Sequence, residues 1–283
     1  MVDLASLPGL EPVRKQLSDV ILVLEAERSR GNAGSPITRR AWKNLVFTGG
    51  AGTGKSRAAT AVGQSYRDLG ALRTGHVIEV PASDLAGAGP RETGTLLGEA
   101  VRPASGGILM ITDAHDWYRL PEHGRQVLGL LYRQLTEYRK EMKDELAVIL
   151  AGQADPVRKM LHGHPPLAAR FRAVIEFRGF TPAELSAIFE DLADEAGLRL
   201  TPAARSKAAD LLACAENGHH SGNARLAVRL LNQAAEMQAR RIASTSSRAQ
   251  TSATLITITD ADIPAHLHPD LAASDDDLSG QYL

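Results

Sequence analysis

Eight residues, Gly49-Gly50-Ala51-Gly52-Thr53-Gly54-Lys55-Ser56, have the types and spacing that phosphate chemistry needs. They fit the pattern G-x-x-x-x-G-K-[ST] in full. Small residues let the main chain wrap closely, so that successive N–H groups ring an anion at the start of a helix. Lys55 is placed to reach the β- and γ-phosphates of a nucleotide such as ATP, and the Ser56 hydroxyl is placed to ligate Mg²⁺.

Such a loop works only between a strand and a helix. "NLVFTG" before it is a short apolar run rich in strand formers, stopped by Gly49 and Gly50, and Lys55 to Leu69 has helical periodicity. "GHVIEV", "GGILMIT", "ELAVILAG" and "AVIEF" follow as further strands with helical patterns between most of them. That alternation predicts an α/β fold, a parallel sheet covered by helices as an αβα sandwich. Ahead of the loop, Val13, Leu17, Val20, Ile21 and Leu24 recur at helical spacing.

After Phe177 the strand signals stop and three helical segments follow. The first two open with Thr-Pro, where Thr181 and Thr201 are placed to cap and Pro182 and Pro202 to occupy the first turn. The chain therefore divides into an α/β nucleotide-binding domain (1–178), a small all-helical domain (179–243) and a polar linker with an acidic tail (244–283). Within the last segment "LITITDADI" reads as a final strand and helix start.

Composition narrows the function classes. A net charge of -1 and an aromatic content of 4% supply neither a basic field nor stacking platforms, so no nucleic-acid partner is expected. No apolar run reaches the roughly 18 to 20 residues of a membrane span, and the N-terminus lacks the layout of a signal peptide. The single cysteine, Cys214, matches a reducing, cytoplasmic setting and is expected to be a buried thiol. "HGHPP" (162–166) and the pair His219-His220 lack metal-ligand spacing, and "ARR" (239–241) reads as helix C-terminal charge.

With the phosphate loop, "DLGALRTGHVIEVPASDL", "GGILMI" and the helical domain's "GNAR", the sequence resembles the AAA+ ATPases of the CbbX/SpoVK group, from about Leu7 to Arg241. That group includes the red-type Rubisco activase and the ATPases of type VII secretion. The resemblance implies a Mg-ATP site at a subunit boundary of a ring, commonly a hexamer, with the helical domain as a lid. It also implies roles: Arg225 of "GNAR" as the sensor-2 arginine, Arg170 of "PPLAARF" as the arginine finger acting on a neighbouring subunit, and Gln153 as a sensor-1 residue orienting water. Ala168 replaces the first arginine of the family's finger pattern, and Arg172 is a nearby substitute.

Two departures bear on activity. The family pattern "GG-x-L-F-I-D-E-A" pairs a Mg-linked Asp with a Glu that polarises water, whereas this chain has "GGILMITDAHD". One register puts Thr112 at the Mg-linked position and Asp113 at the base position, one methylene short; the other makes Asp113 the Mg-linked acid and Ala114 the base position. In both, one carboxylate is missing, and His115 and Asp116 read as solvated loop residues. The second departure is Gly89 in "DLAGAGPRET", where threading members carry a pore-loop aromatic that grips polymer by contact area.

The expectation is an ATP-binding AAA+ subunit that assembles with itself or related subunits on an unidentified client and hydrolyses slowly or not at all. The alternatives are an active remodelling ATPase using Asp113 and a DNA-linked loader or initiator module.

Overall fold

The computed structural model describes residues 9–32, 43–86, 89–119, 121–141, 146–216, 222–244 and 252–267. The pair His219-His220 and the acidic tail lie outside them. The chain forms two compact units: residues 1–50 with 55–177, and residues 178–283 with the loop tip 51–54.

The first unit contains five strands: β1 (Asn44–Thr48), β2 (Val77–Pro81), β3 (Ile108–Thr112), β4 (Ala147–Gly152) and β5 (Phe171–Glu176). All pair in parallel in the order β2-β3-β4-β1-β5. Parallel neighbours require crossovers, which the chain supplies as α2 (Lys55–Asp68), α3 (Pro90–Val101), α5 (Pro121–Glu141) and α6 (Ala154–His162). Helix α1 (Glu11–Asn32) precedes the sheet, while the short α4 (Asp116–Arg119) and α7 (Pro165–Ala168) sit in the connections.

Both faces of the sheet are covered, so its central strands are apolar throughout rather than alternating. Val46, Leu109, Ile111, Val148 and Leu150 pack on one face with Leu97, Trp117, Leu131 and Leu167. The intervening residues Leu45, Phe47, Ile108, Met110 and Ile149 are just as buried. Along α2, Ala58, Ala59, Ala61 and Val62 are buried, small enough to bring that helix close to the strands.

The second unit is built on α8 (Pro182–Glu195), α9 (Pro202–Glu216) and α10 (Ala224–Ser244). Thr181 accepts from Glu184 N while Glu184 reaches back to Thr181 N, a complete capping box, and Thr201 Oγ1 accepts from Ala204 N. Leu185, Phe189, Leu212, Leu226 and Leu230 form the buried side of these helices. Residues 252–263 add a turn of helix, α11 (Ser252–Leu255), and β7 (Thr257–Ile258), which pairs in parallel with β6 (Arg199–Leu200). Asp262, 1% exposed, closes this unit by taking Arg241 Nε and Nη2 at 2.7 and 2.8 Å. Arg241 carries its charge in the last turn of α10, as the reading of "ARR" has it, and is half-buried against this acid, while Arg240 stays exposed beside Glu236. Cys214 is exposed on α9, not buried as the sequence suggests, because it lies on the helix's outer side.

Candidate nucleotide site

The phosphate loop leaves β1 through a narrow passage. Phe177 N donates to Thr48 O at 2.7 Å and Gly49 N donates to Gly152 O at 3.0 Å, so the exits of β4 and β5 clamp its root. A Cβ on Gly49 would stand 2.4 Å from Phe177 O, which excludes every other residue there. Lys55 opens α2, and its ammonium donates to Gly49 O at 3.1 Å and Gly50 O at 2.5 Å. A cation held over the loop's own carbonyls, at a helix start, is a cradle for the charge of a phosphate chain.

The loop tip, Ala51 to Gly54, is held by residues of "GNAR". Asn223 Nδ2 donates to Ala51 O at 2.9 Å, and Ala224 N donates to Gly52 O at 3.0 Å. Gly52 has φ +68, and a Cβ there would stand 2.5 Å from Gly222 O and 3.2 Å from Arg225 Cγ. Arg225, half-buried in the first turn of α10, is therefore packed against the tip. Asn223 itself has φ 49 and is buried, and its Oδ1 accepts from Phe180 N at 3.1 Å. Sequence reasoning singled out Arg225 and passed over Asn223, although asparagine is among the few non-glycine residues that adopt left-handed backbone.

Within the first unit, the residue after Lys55 meets a carboxylate. Ser56 Oγ donates to Glu79 Oε2 at 3.0 Å. Burial pushes the Glu79 carboxyl above its ordinary range, against the opposing pull of the Ser56 hydroxyl and the Lys55 charge. Glu79 too was missed, since nothing in "GHVIEV" distinguishes an acid on a strand's outer side from one aimed at another element. A serine hydroxyl with a carboxylate beside it is a donor set suited to a hard, oxygen-seeking cation, so the residues present fit Mg²⁺.

The residues at the end of β3 are arranged differently from a pair of catalytic acids. Thr112 ends the strand half-buried. Asp113 follows at φ 51, its side chain 68% exposed. The turn is fixed from both sides, by Ala114 N on Ala151 O at 2.9 Å and Asp116 N on Asp113 O at 2.9 Å. His115 is buried rather than solvated, because the turn directs it inward against Gly152; a Cβ on Gly152 would meet its Nδ1 at 3.1 Å. That nitrogen has no hydrogen-bond partner among the described residues and lies 3.9 Å from Asp113 Oδ1. Asp116 Oδ1 lies 3.9 Å from His115 Nε2.

Gln153 is exposed at the start of α6, one residue after the carbonyl that receives Gly49 N–H. Arg170 is held by α5: its Nη2 donates to Thr136 Oγ1 at 3.3 Å and Tyr132 Oη at 3.4 Å, and its Cζ stands 5.0 Å from the Tyr132 ring centre. That bond and charge hold the Tyr132 phenol below its ordinary value. Arg172 Nη1 is 3.5 Å from Glu27 Oε1 of α1, and both side chains are largely covered. Gly89 caps α3 with extended backbone, and a Cβ there would meet nothing, so the position is open. His164 caps α7, its Nδ1 accepting from Leu167 N.

An all-parallel sheet in this strand order, a phosphate loop after β1 and a helical unit after β5 define a P-loop nucleoside triphosphatase of the AAA+ architecture. Residues 45–178 match the ATPase family associated with various cellular activities (AAA), and residues 181–273 match the AAA lid domain. Protein CbbX of Cereibacter sphaeroides is 30% identical over 257 residues, 91% of this chain and 82% of that one. The chloroplastic ribulose bisphosphate carboxylase/oxygenase activase of Cyanidioschyzon merolae is 29% identical over 255 residues, 90% and 86% of the two chains. The chain belongs to the AAA ATPase family, among the relatives of CbbX and Rubisco activase. Among solved structures, the FIGL-1 AAA domain in complex with ADP superposes with a TM-score of 0.60 at 18% identity, covering 93% of this chain and 82% of that one. The Thermotoga maritima RuvB branch migration motor gives 0.52 at 20% identity, over 90% and 70%. At these identities the two structures speak to the fold alone.

Proposed function

We propose that the chain binds ATP with Mg²⁺ at residues 49–56 and acts as a nucleotide-dependent assembly or remodelling subunit in which hydrolysis is slow or absent. Lys55 and the loop N–H groups hold the phosphates, Ser56 takes the metal, and Arg225, packed on Gly52, reads the occupied loop. The metal, when bound, supplies neutralisation of phosphate charge.

The observation that carries the slow-hydrolysis reading is the placement of Asp113. A water-polarising carboxylate has to be held within hydrogen-bond reach of that water by its surroundings. Asp113 is instead 68% exposed on a left-handed turn, with a threonine before it. Loss of a positioned base costs about 10²-fold or more in rate.

Assembly does not need turnover. A nucleotide that binds the assembled state more tightly than the free subunit shifts the equilibrium by that difference in affinity. Sedimentation velocity with and without Mg-ATP tests this: nucleotide should raise the oligomer in the native chain and leave Lys55→Ala unchanged. Equal distributions for the native chain in both conditions would contradict it.

A second reading, an active protein remodeller, is favoured by one observation. His115 Nδ1, buried and without a partner among the described residues, stands 3.9 Å from Asp113 and is placed to draw that carboxylate inward. The relative named as a ribulose bisphosphate carboxylase/oxygenase activase suggests a protein client for this chain. Its setting is taken as cytoplasmic; no described helix is long and apolar enough to cross a membrane.

A further inference from the structure

The carboxylate on Ser56 arrives from the edge strand of the sheet. Glu79 sits at the middle of β2, and its Oε2 accepts from Ser56 Oγ at 3.0 Å. The β2–β3 register pairs Glu79 with Met110 and Pro81 with Thr112. Side chains alternate along each strand, so Glu79, Met110 and Thr112 share one face of the sheet. Ser56 belongs to α2, so this is the face that meets the first turn after the phosphate loop.

Thr112 is therefore one strand across, about 5 Å, and two residues along, about 7 Å, from Glu79. A glutamate's two methylenes project its carboxylate away from the strand and toward the loop, which a side chain at the end of β3 would reach more directly.

We infer that Glu79 supplies from β2 the carboxylate that Thr112 does not supply at the end of β3, and that it orients the water shell of the Mg²⁺ held by Ser56. The inference rests on the reading of residues 49–56 as a Mg-nucleotide site. Two properties of Glu79 carry it. Its carboxylate is half-buried, and its hydrogen-bond partner among the described residues is the neutral hydroxyl of Ser56. The nearby Lys55 charge offsets part of the cost of burying this acid, and a divalent cation joining the pair would offset more. The Ser56 oxygen is a hard donor a divalent ion takes, and the Glu79 carboxylate beside it accepts from the waters that complete the octahedron. Asp113, the acid that follows β3, is exposed in the turn beside His115.

The account separates the two carboxylate tasks of the family pattern. The metal-orienting acid has moved to β2, while the water-polarising acid remains displaced. Metal-assisted nucleotide binding is then intact in a chain whose hydrolysis is weak.

The test uses the full chain with ADP, Mn²⁺ as the probe metal, free Mn²⁺ counted from its electron paramagnetic resonance signal, and ADP affinity measured separately in EDTA. Glu79→Gln should weaken Mn²⁺ binding about 10-fold or more while metal-free ADP affinity stays within about twofold, as loss of a carboxylate around a metal's own ligands does elsewhere. Adding Thr112→Asp to that variant should restore most of the loss. Thr112→Asp in the native chain should add less than about threefold, since the carboxylate is already supplied.

Unchanged Mn²⁺ affinity in Glu79→Gln would overturn the inference. So would a gain of about 10-fold from Thr112→Asp alone, a readout that does not depend on the Glu79 variant folding. Absence of ADP binding by the native chain, with or without metal, would remove the Mg-nucleotide reading itself and the inference with it.

Discussion

Asn223 donates its side-chain amide to Ala51 O at 2.9 Å, tying the residue before α10 to the tip of the phosphate loop. Its amide oxygen accepts from Phe180 N at 3.1 Å, so one buried amide fastens the entry to the helical unit, the start of α10 and the loop tip together. Family reasoning assigns the reading of nucleotide to Arg225 two residues later. The geometry gives the neighbouring asparagine the job of holding that arginine's helix start against Gly52.

Asn223 can be dissected by two substitutions. Asn223→Ala removes the side-chain bonds to Ala51 and Phe180 and puts at φ 49 a residue without asparagine's tolerance of left-handed backbone, for a cost of about 2–4 kcal/mol. Asn223→Gly loses the same bonds but accepts the backbone, and should be about 1 kcal/mol more stable than the alanine variant. Urea unfolding of both variants checks the order. A glycine variant no better than alanine would show that the left-handed backbone is not part of the cost.

Arg170 yields a spectroscopic prediction. Its guanidinium holds the Tyr132 phenol below the ordinary value near 10. In Arg170→Ala the ultraviolet titration of that phenol should move up toward 10, and Arg170→Lys should keep part of the depression. No movement would mean that Arg170 leaves α5 in solution, as an arginine finger reaching a neighbour would.

The capping box of α8 sets an acid limit for the helical unit. Arg178 and the Thr181 bonds draw the Glu184 carboxyl down to about 2 from an ordinary value of 4.5. A depressed carboxyl contributes stability that is fully present above 4.5 and is lost as pH falls toward about 2. Glu184→Gln should therefore flatten the fall of melting temperature between those limits and, at neutral pH, cost about 1 kcal/mol through the weakened cap. An acid limb identical to that of the native chain would contradict this.

The ion pair of Arg241 with Asp262 predicts that residues 252–263 matter for folding. Asp262→Ala leaves Arg241 without its bidentate partner and Thr259 N without its acceptor, and should destabilise by about 2–4 kcal/mol. Guanidinium denaturation measures it. A cost below about 0.5 kcal/mol would place this segment outside the cooperative unit.

Much of the fold is legible in the sequence because its signals are local. Gly49 to Ser56 declares a phosphate loop by spacing alone, the five apolar runs appear as β1 to β5, and Thr181 and Thr201 cap as their Thr-Pro dipeptides predict. What escaped depends on pairs distant along the chain. Glu79 meets Ser56 across 23 residues, Asn223 meets Ala51 across 172, and Arg241 meets Asp262 across 21. Periodicity reports which side of an element is apolar, and it does not report which polar residue of another element waits there. His115 and Cys214 exchange their expected places for the same reason: the inward turn after β3 and the outer side of α9 are set by tertiary packing.

The central claim is a site that holds nucleotide well and cleaves it poorly. The direct measurement is ATP turnover with Mg²⁺ at several protein concentrations, beside nucleotide affinity on the same sample, for the native chain, Lys55→Ala and Thr112→Asp/Asp113→Glu. The account predicts Lys55-dependent binding, little Lys55-dependent turnover at any concentration, and a rise of about 10²-fold in the double variant as the water-polarising acid is returned. Robust Lys55-dependent turnover by the native chain, growing with assembly, would contradict it and make Asp113 a working base.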